Sequence, residues 1–559
     1  MGDTLRYSFF GEIVHYASGG RLMQYVDERP DFVLPLPTQI PSTDASSPSE
    51  TVEKTLSRSS LSSSTAADVE KTAAAADTEA AADAAAGHKD PDLVTWYGPD
   101  DPENPQNWSS GRKMYTLAMF CVLTVSVYMG SSIYTPGITE LMEEFQVSAV
   151  VAALPLTLYV IGYGIGPMVL APLSEIPAVG RNMVYIPTLL LFVILQIPSA
   201  LTRSIGGLIV ARFFAGFFSS PALATCGASI GDILLPQHLP YGIAVWGASG
   251  SGGPAFGPLL GGVFAQVKNW RWTFWCLMWI SGASFILLFF TLPETNPATI
   301  LHRRARRLRK RYGNEKFYTA GEIEFSHMTA RQMVYNNLVR PFVILTVEPP
   351  VVLLNLYTAF IYAVLYTWFE AFPIVFEQIH HFNLIESGLT YLGIVIGCNI
   401  VGALYCLLFK TFVMPQLMRG ARPEVLFKLS FYFSPIIPLA LLFFGWTSSA
   451  DIHWIVPIVA SGTFMLGGFV VFQVVFNYLG MSYPRFLASV FAGNAFFRSC
   501  LASVFPLFAS HMFTNLGPSK FPVGYGSTIL AAVGVIMMLL PVLFYRSGEL
   551  MRAKSRFAN

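Results

Sequence analysis

From Met114 onward, long apolar runs follow one another, separated by short polar joints. A bilayer's hydrocarbon core needs about 20 apolar residues per helix. Runs of that kind fall near 114–135, 150–172, 182–201, 206–230, 241–265 and 273–292. Six more fall near 349–376, 387–409, 427–446, 453–478, 487–511 and 524–546. Each predicts a membrane-spanning helix, because lipid cannot satisfy the free amides of an open sheet edge. The pattern therefore predicts an all-α membrane protein with two six-helix bundles, over 111–292 and 349–546. A polar central loop, 293–348, joins them, and a short tail, 547–559, closes the chain. Paired bundles of six spans can hold a site between them near mid-depth.

The first 110 residues break the pattern. Ser42 to Thr65 is rich in Ser, Thr and Pro, and Thr72 to Gly87 is rich in alanine with scattered acids. Such a stretch buries too little to offset its ordering entropy, so this N-terminal tail is predicted to be largely disordered.

Charge then sets orientation. Arg112, Lys113, Arg181, Lys410, Arg419, Arg422, Lys428, Arg485, Arg546 and Arg552 all fall on one side of the predicted spans. So does the central run from Arg303 to Arg311. The other side holds only Arg203, Lys268, Arg271 and Lys520. Positive loops stay in the cytosol, so both termini and the central loop are expected there. The central basic run is expected to form a helix on the anionic inner leaflet or to act only as a positive anchor.

Composition removes other classes. The chain is 53% hydrophobic and only 12% charged, against about a quarter charged in soluble domains. A net charge of +1 offers no field for nucleic acid. The six cysteines lie within apolar runs, and His380-His381 stands alone, so no metal site and no cofactor are expected. No GxxxxGK[ST] loop occurs, so ATP is not the expected fuel. No nucleophile elbow occurs either, and an enzyme is not expected.

Four features carry candidate chemistry. The joint between spans two and three reads Gly166-Pro-Met-Val-Leu-Ala-Pro-Leu-Ser-Glu175, then Gly180-Arg181, and Glu175 with Arg181 is a candidate inner-gate pair. Span four holds Arg212 in an apolar helix, a costly placement that points to function. It is a candidate for proton coupling, for binding a polar substrate, or for a tie to backbone carbonyls. Span five carries Trp246, then Gly253-Pro254, Gly257-Pro258 and Gly261-Gly262, a pattern suited to close helix approach and bending. In span seven, Tyr362, Tyr366 and Phe369 share one helical face, with Asn355 earlier and Glu370 next to Phe369. Desolvation favours a neutral carboxyl, so Glu370 is a candidate proton carrier, or else a solvated group near the outer interface. Gln473, Asn477, Asn494, Phe497 and Arg498 complete the candidate substrate cavity, and Arg498 is a candidate complement to Glu370.

These motifs resemble those of the major facilitator superfamily, most closely the fungal twelve-spanner drug:proton antiporters. Gly166 to Arg181 is similar to that superfamily's loop-two/three motif, with a longer spacing before Gly180. Gly253 to Gly262 resembles the span-five antiporter motif, although Ala244 stands where the extended motif has glycine. Asp101 to Trp108, Val127 to Gly130, Tyr134 to Gly137, Trp270 to Trp275, Leu292 to Thr295 and Arg498 to Pro506 look like the benomyl- and fluconazole-resistance permeases. The resemblance implies that Arg212 couples protons. It also implies monomeric, plasma-membrane export of varied small apolar or amphipathic compounds, azole- and benomyl-type among them, by proton antiport and alternating access. A dedicated exporter of one endogenous metabolite or toxin is the alternative, and an importer or channel stands further off.

Overall fold

The computed structural model describes residues 5–32, 92–326, 332, 335, 339–483, 487–516 and 520–558. Among these the secondary structure is helical, with two isolated bridges and no strand. A short helix, α1 (Phe9–Ala17), comes first. The first bundle is α2 (Ser110–Tyr128), α3 (Ala149–Leu173), α4 (Asn182–Leu201), α5 (Ile205–Ile233), α6 (Leu239–Val267) and α7 (Arg271–Thr291). The basic run forms α8 (Pro297–Tyr312). The second bundle is α9 (Pro349–Ile379), α10 (Leu384–Met418), α11 (Pro423–Thr447), α12 (Ile455–Ser482), α13 (Leu487–Leu516) and α14 (Gly524–Ala553).

Eleven helices among the described residues are long and apolar enough to cross a membrane. The twelfth expected span, α6, has 29 residues and no charge, but its glycines, serines and prolines lower its hydropathy. It lies inside the assembly, against α2 and α7 of its own half and α10 of the other. Many exposed side chains on the spans are themselves apolar, including Val210, Ile286, Ile400 and Leu439. Water would penalise that surface and lipid does not. The chain is a multi-pass membrane protein.

The halves meet along two seams, α3 against α13 and α6 against α10. In the first, Thr157 Oγ1 donates to the carbonyl of Ser503 at 3.1 Å. Both seams use small residues at the contact, which lets the helix backbones come close.

The segment before the first span is not structureless throughout. Within it, residues 5–32 and 92–109 fold against α8, while 33–91 lie outside the described residues. Phe9 and Phe10 pack on Phe289, and Phe10 on Phe290, at the end of α7. Arg304 donates to Asp101 Oδ2 at 2.7 Å and Glu103 Oε2 at 2.6 Å. Arg307 pairs with Asp27 at 2.8 Å, Arg303 with Glu12 at 2.9 Å and Arg309 with Glu322 at 2.6 Å. The expectation that α8 rests on anionic lipid therefore needs correction: most of its arginines face protein acids. Arg306 and Lys310 are exposed.

Candidate functional site

At the end of the first bundle nearest α8, Arg181 and Glu175 come into contact. Arg181 Nη1 lies 3.7 Å from Glu175 Oε1, and a tighter contact joins Arg181 Nε to Asp232 Oδ2 at 3.3 Å. Arg181 also donates to Ser174 Oγ at 2.8 Å. Burial works against the Arg181 charge, but Asp232 and Glu175 outweigh it, and its pKa is raised. Burial pushes the Glu175 carboxyl up, and Arg181 only partly opposes this. Glu294 accepts the backbone amides of Arg181 at 3.1 Å and Asn182 at 3.2 Å, which pins the joint to the exit of α7. Asp232 was not singled out from the sequence, because nothing local marks its partner 51 residues away.

The glycine motif of α6 does packing work on both halves. A methyl group at Gly261 would run into the carbonyl of Ile133, and one at Gly262 into the carbonyl of Leu384 at the start of α10. Ser132 Oγ donates to the carbonyl of Pro254 at 2.6 Å, which is left without its helical partner because Pro258 lacks an N–H. Gly253, Gly257 and Pro258 lie in the same buried stripe. Trp246, one to two turns nearer α8, donates from Nε1 to Thr124 Oγ1 at 2.8 Å. This is a bond within the first bundle.

Arg212 is fully buried. Its Nη2 donates to the carbonyls of Gly130 and, at 3.1 Å, Ser131, in the turn after α2. Its guanidinium lies over the Tyr159 ring at 4.2 Å and 5.6 Å from the Tyr134 ring. The backbone tie is therefore real, yet Nε and Nη1 are buried without a partner. Three of the guanidinium's five N–H donors are left for something else.

One atom group away, the halves are latched by hydroxyls. Tyr163 of α3 lies 2.7 Å from the Tyr362 hydroxyl and 3.1 Å from that of Tyr366. Tyr366 donates to Ser131 Oγ at 3.0 Å. Ser131 thus receives the arginine on its carbonyl and the second bundle on its hydroxyl. Phe369 packs on Tyr366 with ring centroids 5.3 Å apart. Arg498 lies over the Tyr362 ring at 4.6 Å. About two turns nearer α8, Asn494 Nδ2 donates to Asn355 Oδ1 at 2.7 Å. Gln473 reaches Gly247 across the α6 seam, and Asn477 donates to Tyr405 at 3.2 Å. Phe497 is half-buried.

The structure therefore brings Tyr362, Tyr366, Phe369 and Arg498 together, with Asn355 and Asn494 on the same ladder. It does not bring Glu370 to Arg498. Arg498 is level with Tyr362, eight residues before Glu370, which is about 12 Å along the helix axis. Glu370 is half-buried and lies instead within electrostatic reach of Tyr134 and Tyr391. Tyr134 is in turn within reach of Arg212. Tyr163, Ser131 and Tyr134 were missed as site residues, since their partners are up to 235 residues distant.

Residues 120–506 match the family model of the Major Facilitator Superfamily. The chain belongs to that superfamily. It is 42% identical over 565 residues to the Cycloheximide resistance protein of Candida maltosa, covering 100% of each chain. It is 42% identical over 471 residues to Fluconazole resistance protein 1 of Saccharomyces cerevisiae, covering 84% of this chain and 86% of that one. Among solved structures, the proton:xylose symporter XylE bound to 6-bromo-6-deoxy-D-glucose superposes with a TM-score of 0.54 at 13% identity. That match covers 78% of this chain and 96% of XylE, and it carries the fold alone. The superfamily is one of membrane transporters.

Proposed function

We propose that this protein is a proton-coupled antiporter that exports structurally varied, largely apolar drugs and xenobiotics, azole- and benomyl-type compounds among them. It acts in the plasma membrane as a monomer, with both termini and α8 in the cytosol. The names of the resistance relatives support the substrate class. The observation that carries the mechanism is Ser131, whose carbonyl accepts from Arg212 while its hydroxyl accepts from Tyr366 of the other half.

That joint links a buried charge to the contact between halves. A proton arriving at Glu370 changes the field felt by Tyr134, whose ring lies 5.6 Å from the Arg212 guanidinium. Any shift of Arg212 moves the turn at Gly130 and Ser131, and with it the tyrosine latch. Substrate entering from the cytosol competes for the same hydroxyls and lies on the flat faces of Tyr362, Tyr366 and Phe369, which suit varied apolar molecules. The two bundles then rock about the α6 seam, where glycine contacts permit sliding. Moving one charge through 100 mV is worth about 2.3 kcal/mol. Each pH unit adds about 1.4 kcal/mol. Together these sustain drug ratios of tens to hundreds per proton.

The test is energised efflux of fluconazole and benomyl from a yeast lacking its own pumps. Expression of the protein is expected to lower cell content of both compounds, and a protonophore is expected to abolish the effect. Correctly located protein that exports neither compound would overturn the reading.

A further inference from the structure

The interface between the halves carries a guanidinium that pairs with no carboxylate among the described residues. Arg498 is only 7% exposed. Its guanidinium lies 4.6 Å from the centroid of the Tyr362 ring and 5.3 Å from that of Phe472. The groups that act on it most strongly are Tyr128, Tyr362 and Tyr163, all neutral phenols at ordinary pH. Its Nε is buried and donates to nothing. Arg212 has likewise no carboxylate within reach among the described residues. Ring faces attract a cation without neutralising it. A buried guanidinium in a membrane interior is costly unless paired, and Arg181 and Arg304 elsewhere in this molecule do have acids.

Asn355 Nδ2 is a further buried donor without a partner, about two turns along the ladder. Asn494 Oδ1 and Gln473 Oε1 are buried acceptors without a partner, so what sets the site apart is the positive charge of its guanidinium rather than its amides.

We propose that Arg498 is a substrate-recognition residue that makes the central site select neutral and anionic compounds with hydrogen-bond acceptors and exclude permanent cations. A carbonyl, an azole nitrogen or a carboxylate completes the guanidinium's shell by accepting from it. A carboxylate gains most, because charge-assisted hydrogen bonds are roughly twice as strong as neutral ones. A permanent cation has no acceptor to offer and meets like charge in a low-dielectric site. This rests on the reading of the chain as an exporter with a central site, and it names that site's substrate class.

The test uses the full chain in the same pump-deficient yeast with three probes: neutral fluconazole, anionic fluorescein and the permanent cation tetraphenylphosphonium. Wild-type protein is expected to export the first two and to leave the third at the level of the empty strain. Arg498→Gln is expected to lower fluorescein export about tenfold and fluconazole export only two- to threefold, with Arg498→Lys retaining most fluorescein export. Surface abundance is read in parallel from a fluorescent tag. The wild-type probe comparison decides the question even if a variant fails to reach the membrane. Export of tetraphenylphosphonium as efficient as that of fluorescein would overturn the proposal, as would an equal fall of both substrates in Arg498→Gln. Export of none of the three probes would instead sink the exporter reading on which it rests.

Discussion

Arg304, in the polar helix α8, and Arg212, in the first bundle, are 1% and 0% exposed. Arg304 is held by two carboxylates, Asp101 and Glu103, with the Tyr97 ring 4.1 Å below it. Arg212 has two carbonyls, aromatic rings and two idle nitrogens. The same side chain at similar burial is therefore neutralised in one region and left charged in the other. A saturated ion cluster is a fastener, because every donor is already engaged. An undersatisfied guanidinium can still respond to a proton or a substrate. The difference separates the part of the molecule that holds the halves' connecting segment in place from the part proposed to respond during transport.

Breaking the fastener is expected to have the largest effect on stability. Arg304→Ala leaves Asp101 buried without its cation and Glu103 with only the longer contact to Arg307 at 3.4 Å, a defect that costs about 3–5 kcal/mol. Thermal unfolding of purified protein is expected to shift down accordingly. Efflux per surviving molecule is expected to stay within about twofold of wild type, since Arg304 touches no interface residue. Replacing Arg304, Asp101 and Glu103 together by neutral residues of similar size is expected to cost less than Arg304→Ala alone.

Arg212→Ala is expected to act in the opposite sense, on transport more than on stability. Efflux is predicted to fall about a hundredfold, equivalent to about 2.7 kcal/mol, with the protein still at the cell surface. If Arg212 were a mere tie, surface abundance and efflux would fall together. A smaller effect is expected at Gly261→Ala. The added methyl meets the Ile133 carbonyl, and such overpacking costs about 1–3 kcal/mol. Reduced efflux with a small drop in melting temperature is the predicted outcome.

The smallest effect is the pH response of the fastener. Burial alone would raise the Asp101 carboxyl, but hydrogen bonds and charge from Arg304 hold it below its ordinary value. A depressed carboxylate stabilises the fold above its unfolded pKa, about 4, and that contribution is lost as pH falls through the lower folded value. Protease resistance of residues 5–32 and 92–109 is therefore expected to be flat from neutral pH to about 5 and to decline only in stronger acid.

Local features of the chain made much of this legible. Span positions follow from run length, and the contact stripe on α6 follows from glycine and proline spacing. Tyr362, Tyr366 and Phe369 share a face because a helix repeats every 3.6 residues. What the sequence withheld is pairing at a distance. Tyr163 meets Tyr362 across 199 residues and Arg304 meets Asp101 across 203. No period or composition marks such partners. Asp232 left a faint signal, as an acid at the end of a span with no base beside it. The expected link from Glu370 to Arg498 failed for a simpler reason: both were read as intramembrane charges, and their depths differ by about two helical turns.

Coupling between proton and drug is the central claim. Purified protein in liposomes loaded with a pH-sensitive dye, given a fluconazole gradient and no initial pH gradient, tests it directly. Proton movement opposite to the drug is expected, abolished in Arg212→Ala. Fluconazole flux with no accompanying proton movement would contradict it.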